Sequence, residues 1–255
     1  MPALHGGRLR GRRVSGAGRG DGRGRRGGRT ATPRGRGLSV RVETAKRRSN
    51  SSTRWLQRQL NDPYVREAQQ QGYRSRAAFK LMQIDDKLGL LKPGARVVDL
   101  GAAPGGWSQV AVERCGPEGR VVGIDLAEIE PLAGAVFLAG DFLDETAPER
   151  LRQALDGPAD VVLSDMAAPS TGHAGTDHLR VMALAEAALA FAEEVLAPGG
   201  TFLAKVLQGG TERDLLDRLK QRFAKVRHVK PPASRKDSAE LYVVATGYRG
   251  AKPGG

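Results

Sequence analysis

Short apolar runs rich in β-branched residues alternate along most of the chain with stretches of helical periodicity. The apolar runs are typical of buried strands and fall at residues 96–100, 120–126, 135–139, 160–164, 201–206, 225–229 and 241–245. Helical stretches lie between most of them, at residues 107–114, 148–155, 177–196 and 212–222. Strands that are apolar on both faces and separated by helices predict an α/β fold with a mostly parallel, seven-stranded sheet and helices on both faces. The last two runs are joined without a helix, which predicts one antiparallel edge strand.

Three short helices are predicted before the first strand, over residues 53–60, 63–71 and 76–88. Pro63 suits the first position of the second helix, and Gly72 suits its end. Ser75 is the predicted cap of the third helix. Arg74, Arg76 and Lys80 lie on that helix or its approach, where the simplest interpretation is a solvated face.

The formal charge of +13 is placed unevenly along the 255 residues. Residues 1–45 carry twelve Arg against two acids, which is +10, and residues 46–80 carry nine Lys or Arg against two acids, which is +7. The remaining residues 81–255 therefore hold a net −4. A basic half joined to a mildly acidic body indicates a polyanionic partner such as nucleic acid, with a tail kept only for solubility as the alternative.

Composition divides the chain into three parts. Residues 1–45 are mostly Gly and Arg, with too few apolar residues to fold, so a disordered basic tail is predicted. Its twelve glycines argue against the amphipathic helix of an organelle transit peptide and favour an RNA-binding arm. Residues 46–92 are predicted to form a basic helical segment that faces RNA, and residues 93–255 the core domain.

Several classes of protein are excluded by the same composition. Cys115 is the only cysteine, so neither an intramolecular disulfide nor a thiolate cluster is expected, which fits a reducing, cytoplasmic location. The four histidines are scattered, and no metal site is predicted. The longest apolar stretch, residues 181–196, contains three glutamates, so no membrane span is expected.

Polar residues follow the predicted strands where each strand ends. A glycine turn at residues 101–106 follows the first strand, and Asp125, Asp141 and Asp165 end or follow the next three. Ligands of open α/β sheets bind beyond the carboxyl ends of the strands. Asp125 is placed to accept two ribose hydroxyls, and Asp141 beside Phe142 suits an adenine amine and ring. A single strand-end Asp is often only a turn former, but three at successive ends favour a nucleotide-like ligand.

Lys205 is unusual because it lies between apolar residues on a predicted central strand. Burying its charge unpaired would cost several kcal/mol, so a partner is expected unless it is an edge lysine that reaches solvent. Glu240 begins the final strand and lies next to the fifth strand if the strand order is the usual one.

Several stretches, taken together and in order, resemble the FtsJ/RrmJ (RlmE) family of S-adenosylmethionine-dependent ribosomal RNA 2′-O-ribose methyltransferases. The similarity runs from about Trp55 to Tyr248 and leaves residues 1–45 outside. The stretches that carry it are Asp99-Leu-Gly-Ala-Ala-Pro-Gly-Gly-Trp-Ser-Gln, Ser75-Arg-Ala-Ala-Phe-Lys-Leu, Gly140-Asp-Phe, Ser164-Asp-Met, Leu196-Ala-Pro-Gly-Gly and Lys205-Val-Leu-Gln-Gly.

The resemblance implies a Rossmann-like methyltransferase fold and a set of site residues. The implied catalytic residues are Lys80, Asp165, Lys205 and Glu240, with Lys205 as proton acceptor. The implied S-adenosylmethionine-binding residues are Gly105, Trp107, Asp125, Asp141 and Asp165. Ala239 stands where the family often has arginine.

The implied activity is methyl transfer to the ribose 2′-hydroxyl of a nucleotide, a uridine, in large-subunit (23S-type) ribosomal RNA. The implied partner is that RNA, within the large ribosomal subunit, and the protein is expected to be monomeric. Two alternatives remain open at this point: 2′-O-methylation of another RNA such as tRNA or an mRNA cap, and a non-catalytic ribosome assembly factor. A nicotinamide oxidoreductase is disfavoured because the glycine turn lacks the dinucleotide pattern.

Overall fold

The computed structural model describes residues 50–209 and 213–250, and the predicted tail over residues 1–45 lies outside them. The described helices are α1 (Asn50–Leu60), α2 (Pro63–Gln71), α3 (Ala78–Leu88), α4 (Gly106–Cys115), α5 (Ala147–Leu155), α6 (Ala174–Val195) and α7 (Arg213–Arg222). The described strands are β1 (Arg96–Leu100), β2 (Arg120–Asp125), β3 (Ala135–Ala139), β4 (Ala159–Ser164), β5 (Leu196–Leu207), β6 (Phe223–Val229) and β7 (Glu240–Tyr248).

The seven strands form one sheet in the order β3-β2-β1-β4-β5-β7-β6. Strands β1 to β5 pair in parallel, whereas β7 is antiparallel to both of its neighbours, β5 and β6. The predicted fold class is confirmed. The antiparallel strand lies one position in from the edge, because the chain returns from β6 and inserts β7 between β5 and β6.

Two apolar layers cover the sheet, one on each face. Neighbouring residues of one strand point to opposite faces, so Val97 packs with α2, α3 and α4, while Val98 packs with α5, α6 and α7. This arrangement explains why the strand sequences are apolar at consecutive positions. Burying one large side chain such as Leu81 or Leu189, both fully inaccessible, contributes roughly 1.5–3 kcal/mol.

The N-terminal helices begin and end largely where the sequence predicts. Asp62 caps α2 by accepting the Tyr64 N–H at 3.0 Å, Pro63 occupies the first helical position, and Gly72 ends the helix at φ 77°. The predicted cap at Ser75 is wrong, because α3 begins at Ala78 and has no side-chain cap. The Ser75 side chain is instead pressed against Gly106, at the start of α4.

The expectation that Arg74, Arg76 and Lys80 form a solvated face is also wrong, and Lys80 is paired with Glu240 inside the protein. Arg74 donates to the carbonyl oxygens of Glu130 and Pro131, at 2.6 and 2.7 Å. Arg76 forms an ion pair with Asp62 at 2.9 Å and also donates to the Ala233 carbonyl oxygen. Both guanidinium groups therefore fasten the N-terminal segment to the rest of the fold.

Candidate active site

The glycine turn brings the end of β1 close to the end of β4. Gly101 has φ 76°, and a Cβ atom there would lie 2.9 Å from the Cα of Met166. Gly105, at φ 102°, forms the N-cap of α4. Only glycine combines these backbone angles with so close an approach. Because the N-cap Gly105 has no side chain, the first N–H groups of α4 are left without a side-chain cap.

A cavity of about 480 Å³ lies beyond the strand ends, lined by Gly101 of the glycine turn, the ends of β2 and β3, the loop after β4 and one side of α6. Asp125 and Asp141 both line it, together with Phe142. Asp125 accepts the backbone N–H groups of Ala103 and Ala127, at 3.0 and 2.9 Å. These bonds fix the Asp125 carboxylate and leave each oxygen with a lone pair for a ligand.

The opposite wall of the cavity is the loop after β4, and Asp177 of α6 holds this loop in place. One carboxylate oxygen accepts the Thr171 N–H and hydroxyl, both at 2.7 Å, and the other accepts the Ser170 hydroxyl at 2.6 Å. These hydrogen bonds lower the pKa of Asp177 to about 2. Residues 166–169 of the same loop line the cavity, so Asp177 positions that wall from outside.

Asp165 does not line this cavity, although Met166 beside it does. The Asp165 carboxylate forms an ion pair with Lys205, whose Nζ lies 2.9 Å from Oδ1 and also donates to the Asp165 carbonyl oxygen at 2.7 Å. The Tyr242 hydroxyl donates to the same Oδ1 at 2.9 Å. Lys205 is thus the buried, paired strand lysine expected from its apolar neighbours, with a side chain 10% exposed.

Lys80 and Glu240 form the second half of this cluster. The Lys80 Nζ lies 2.7 Å from Glu240 Oε1 and donates to the Tyr242 hydroxyl at 3.1 Å. The Ser234 hydroxyl also donates to Glu240, at 2.9 Å. A continuous chain of polar contacts therefore runs from Glu240 through Lys80, Tyr242 and Asp165 to Lys205, and Glu240 pairs with Lys80 rather than with Lys205.

Burial and charge act in opposite directions on the acids of the site. Burial favours a neutral Asp165, but Lys205 and then Lys80 outweigh it, and the pKa of Asp165 is lowered. The pKa of Tyr242 is raised well above its ordinary value, first by burial and then by the charges of Asp165 and Glu240. The cluster at neutral pH therefore holds an ionised Asp165 and a protonated Tyr242.

Asp99 lies completely buried beneath the glycine turn. The Ser108 hydroxyl donates to its Oδ2 at 2.7 Å, whereas Oδ1 is buried without a hydrogen bond among the described residues. Burial raises the pKa of Asp99 to about 7, against the effect of the Ser108 bond and with a further contribution from Asp165 and Asp125. A carboxyl group that changes its charge near neutral pH thus lies directly under the site.

The Trp107 side chain does not line the cavity, and Gly105 has no side chain. Trp107 is 3% exposed, packs its ring against Tyr242 at a tilt of 43° with ring centroids 5.6 Å apart, and donates its indole N–H to the Ala77 carbonyl at 2.8 Å. At the first turn of α4, the part of Trp107 available to a ligand is its backbone N–H. The side chain supports the chain of polar contacts by packing against Tyr242.

Sequence reasoning missed three residues of the site: Tyr242, Asp99 and Asp177. Tyr242 fits an ordinary strand pattern, and Asp177 a helix start, so neither carries a local signal of its role. Asp99 has one signal, a carboxylate inside an apolar strand. Across residues 50–209 and 213–250, no group of three or more His, Cys, Asp or Glu side chains is arranged to hold a metal ion. No helix of those residues is long and apolar enough to cross a membrane.

Comparisons with known proteins point in one direction. Residues 73–248 match the family model described as FtsJ-like methyltransferase. The ribosomal RNA large subunit methyltransferase E of Paramagnetospirillum magneticum is 67% identical over 221 residues, 85% of this chain and 91% of that protein. The protein of the same name from Parvibaculum lavamentivorans is 63% identical over 233 residues, 88% of this chain and 92% of that one. A crystal structure of a Plasmodium falciparum protein described as a ribosomal RNA methyltransferase aligns with a TM-score of 0.64 at 31% identity, covering 70% of this chain and 100% of that chain.

Proposed function

The chain belongs to the FtsJ-like methyltransferase family, and we propose that it methylates the ribose 2′-hydroxyl of a uridine in 23S-type RNA of the large ribosomal subunit. The relatives named ribosomal RNA large subunit methyltransferase E support this substrate class. The observation that carries the proposal is that the ion pair between Lys205 and Asp165 lies immediately beside a cavity of nucleotide size. None of the observations favours tRNA or an mRNA cap as the substrate.

S-adenosylmethionine is the proposed cofactor, and the residues of the cavity fit its chemistry. The two carboxylate oxygens of Asp125 suit the ribose hydroxyls, and Asp141 with Phe142 suits the adenine amine and ring. The uncapped N–H groups at the start of α4, including that of Trp107, suit the cofactor carboxylate. When bound, the cofactor supplies a methyl group activated by its positive sulfur.

Lys205 is the proposed proton acceptor for the ribose hydroxyl. An amine accepts a proton only in its neutral form, so the Lys205 ammonium must lose one proton before the reaction. Asp165 holds the Nζ by two acceptors, its carboxylate and its carbonyl oxygen, and so fixes the direction from which Lys205 approaches the ribose. Positioning of this kind supplies a large part of the rate of methyl transfer.

The proposed catalytic cluster consists of Asp165, Lys205, Lys80, Glu240 and Tyr242. The last three fix the position of Asp165. Tyr242 is a hydrogen-bond donor to Asp165 and keeps one acceptor oxygen occupied, so the carboxylate cannot rotate away from Lys205. Lys80, neutralised by Glu240, holds the Tyr242 hydroxyl in turn. We propose that the protein acts as a monomer in the cytoplasm, and that its basic N-terminal part contributes to binding ribosomal RNA.

The proposal is tested by incubating the protein and labelled S-adenosylmethionine with large ribosomal subunits from cells that lack it. The label is expected in the 23S-type RNA, on the ribose of one uridine. Because alkaline cleavage needs a free 2′-hydroxyl, the linkage after that nucleotide should resist alkali. Label on a base, or none in the large-subunit RNA with small subunits or tRNA labelled instead, would contradict the assignment.

A further inference from the structure

We propose that the outer edge of the sheet at β6, together with the connection from β6 to β7, binds the phosphates of the RNA next to the methylated nucleotide. The surface is formed by Lys225, Arg227, Lys230 and Lys236, all exposed, and is called the basic edge below. This inference rests on the proposed function, because it names where the RNA substrate of the same site continues.

Strand register places the carboxyl end of β6 beside the catalytic cluster, with Lys225 four residues back along the strand from Val229. Tyr242 of β7 is paired with Lys205 of β5 on one side and with Val229 of β6 on the other. Arg227 pairs with Val244 and Lys225 with Thr246, so both point to the face of the sheet that carries Lys205 and Tyr242. Arg227 lies two strands away from Lys205 and two residues away along the strand direction. These separations put its Cα about 12 Å from that of Lys205. The phosphates of nucleotides adjacent to the target are within that reach.

The positive charge is concentrated in this segment and is not a general property of the core. Residues 223–238 contain five cations, Lys225, Arg227, Lys230, Arg235 and Lys236, and one acid, Asp237, which is a net +4. Residues 81–255 as a whole have a net charge of −4, so the remainder of that part holds −8. A polyanion approaching the core is therefore attracted to the basic edge and repelled elsewhere.

Basic side chains of the N-terminal segment nearest the site are used inside the protein. Arg74 is bonded to backbone carbonyls, Arg76 to Asp62, and Lys80 to Glu240. Each already has an acceptor, so binding a phosphate would require breaking a contact that holds the fold or the catalytic cluster. Among the described residues, Lys225, Arg227 and Lys236 have no such engagement, whereas Lys230 donates to the Ser238 carbonyl oxygen at 2.7 Å.

Lysine on an edge strand also has a plain structural role, since it discourages pairing with another chain. That role does not account for Lys236, which lies beyond the strand in the connection over residues 230–239. This connection is fixed in place: the Ala233 N–H donates to Gln83 at 2.7 Å, and Arg235 forms an ion pair with Asp62 at 3.2 Å. Its Ser234 donates to Glu240, so the basic edge is continuous with the catalytic cluster.

The test compares Lys225→Gln/Arg227→Gln with the matched control Arg213→Gln/Lys220→Gln on α7. Both pairs are exposed and both remove two charges, but α7 packs on the opposite face of the sheet from Tyr242. Binding of each protein to purified large-subunit ribosomal RNA is measured over a range of salt concentrations, and S-adenosylmethionine binding and thermal unfolding are measured alongside.

We expect the edge variant to lose about tenfold or more in RNA affinity near physiological salt, and its slope of log K against log salt to flatten by about 1.5, as for two lost phosphate contacts. Cofactor binding and melting temperature should stay at wild-type values, and the control should keep its RNA affinity and slope. An edge variant with a wild-type slope, or a control with an equal loss, would overturn the inference while leaving the proposed function intact. Failure of the wild-type protein to bind or methylate the RNA would overturn the proposed function itself.

Discussion

Replacing Asp99 by asparagine should change how the stability of the protein depends on pH. The Asp99 carboxyl is fully buried, and its pKa is raised from 3.8 to about 7. Between these two values the folded protein keeps a proton that the unfolded chain has released. Folding stability contributed by this group is therefore complete below pH 3.8, falls as pH rises towards 7, and is constant above it. Asparagine resembles the protonated form in shape and cannot ionise.

The magnitude follows from the size of the shift. One pKa unit corresponds to about 1.4 kcal/mol, so a shift from 3.8 to about 7 corresponds to a loss of about 4 kcal/mol over the full range. Between pH 5 and pH 8, where the measurement is practical, the loss is about 3 kcal/mol. The unfolding free energy of the wild type, minus that of Asp99→Asn, should fall by this amount.

Urea unfolding of both proteins at several pH values between 5 and 8 provides the measurement. Other ionisable groups are common to the two proteins, so most of their effect cancels in the difference. Ser108→Ala serves as a companion variant: it removes the hydrogen bond that lowers the pKa of Asp99, so its loss of stability should extend to higher pH. Parallel stability curves for wild type and Asp99→Asn would show that Asp99 is ionised throughout and that burial does not control its charge.

Further variants test the cavity, the proton acceptor and the tail. Lys205→Arg keeps a cation that cannot deprotonate, so it should bind cofactor and RNA nearly as before and lose about 10²-fold or more in single-turnover rate; a near wild-type rate would reduce Lys205 to a positioning charge. Asp125→Ala should weaken S-adenosylmethionine binding by about 1.5–3 kcal/mol in calorimetric titration, and unchanged affinity would remove its role. Asp177→Asn should weaken S-adenosylmethionine binding by about threefold to tenfold while the melting temperature stays unchanged. Glu149→Gln on α5 is the control and should have no effect. Equal affinities of Asp177→Asn and the wild type would show that the loop after β4 does not need Asp177 to hold it in place. Deletion of residues 1–45 should lower RNA affinity and flatten its salt dependence without lowering the melting temperature, and a markedly lower melting temperature would contradict the predicted disorder of the tail.

The sheet could be predicted because its physical requirement is local. A strand covered on both faces must be apolar at consecutive positions, as at Val97-Val98 and Val161-Val162, and such runs are visible without any knowledge of their partners. The strand-end acids Asp125 and Asp141 were found in the same way, since the carboxyl ends of parallel strands lie at one edge. The helix cap at Ser75 failed because packing against Gly106 decided the position of that side chain.

The contacts between the side chains of the proposed catalytic cluster could not be predicted from the local sequence pattern. The Lys80 ammonium and the Tyr242 hydroxyl are separated by 162 residues in sequence, and the Tyr242 hydroxyl and Asp165 by 77. These contacts depend on β7 lying beside β5, which is a property of the strand order. From local pattern alone, Tyr242 is only an aromatic residue at a strand position, and Glu240 could equally have paired with either lysine.

The insertion of β7 between β5 and β6 also has a consequence during synthesis of the protein. Strands β1 to β5 can assemble as the chain emerges, because each pairs with a strand already made. β6 has no neighbour until β7 arrives, and β7 brings Glu240 and Tyr242 with it. A nascent chain interrupted before residue 240 therefore has an open sheet edge at β5 and an unsupported Asp165. The strand that closes the sheet is thus also the one that completes the proposed catalytic cluster, so we expect no methyl transfer by chains that lack it.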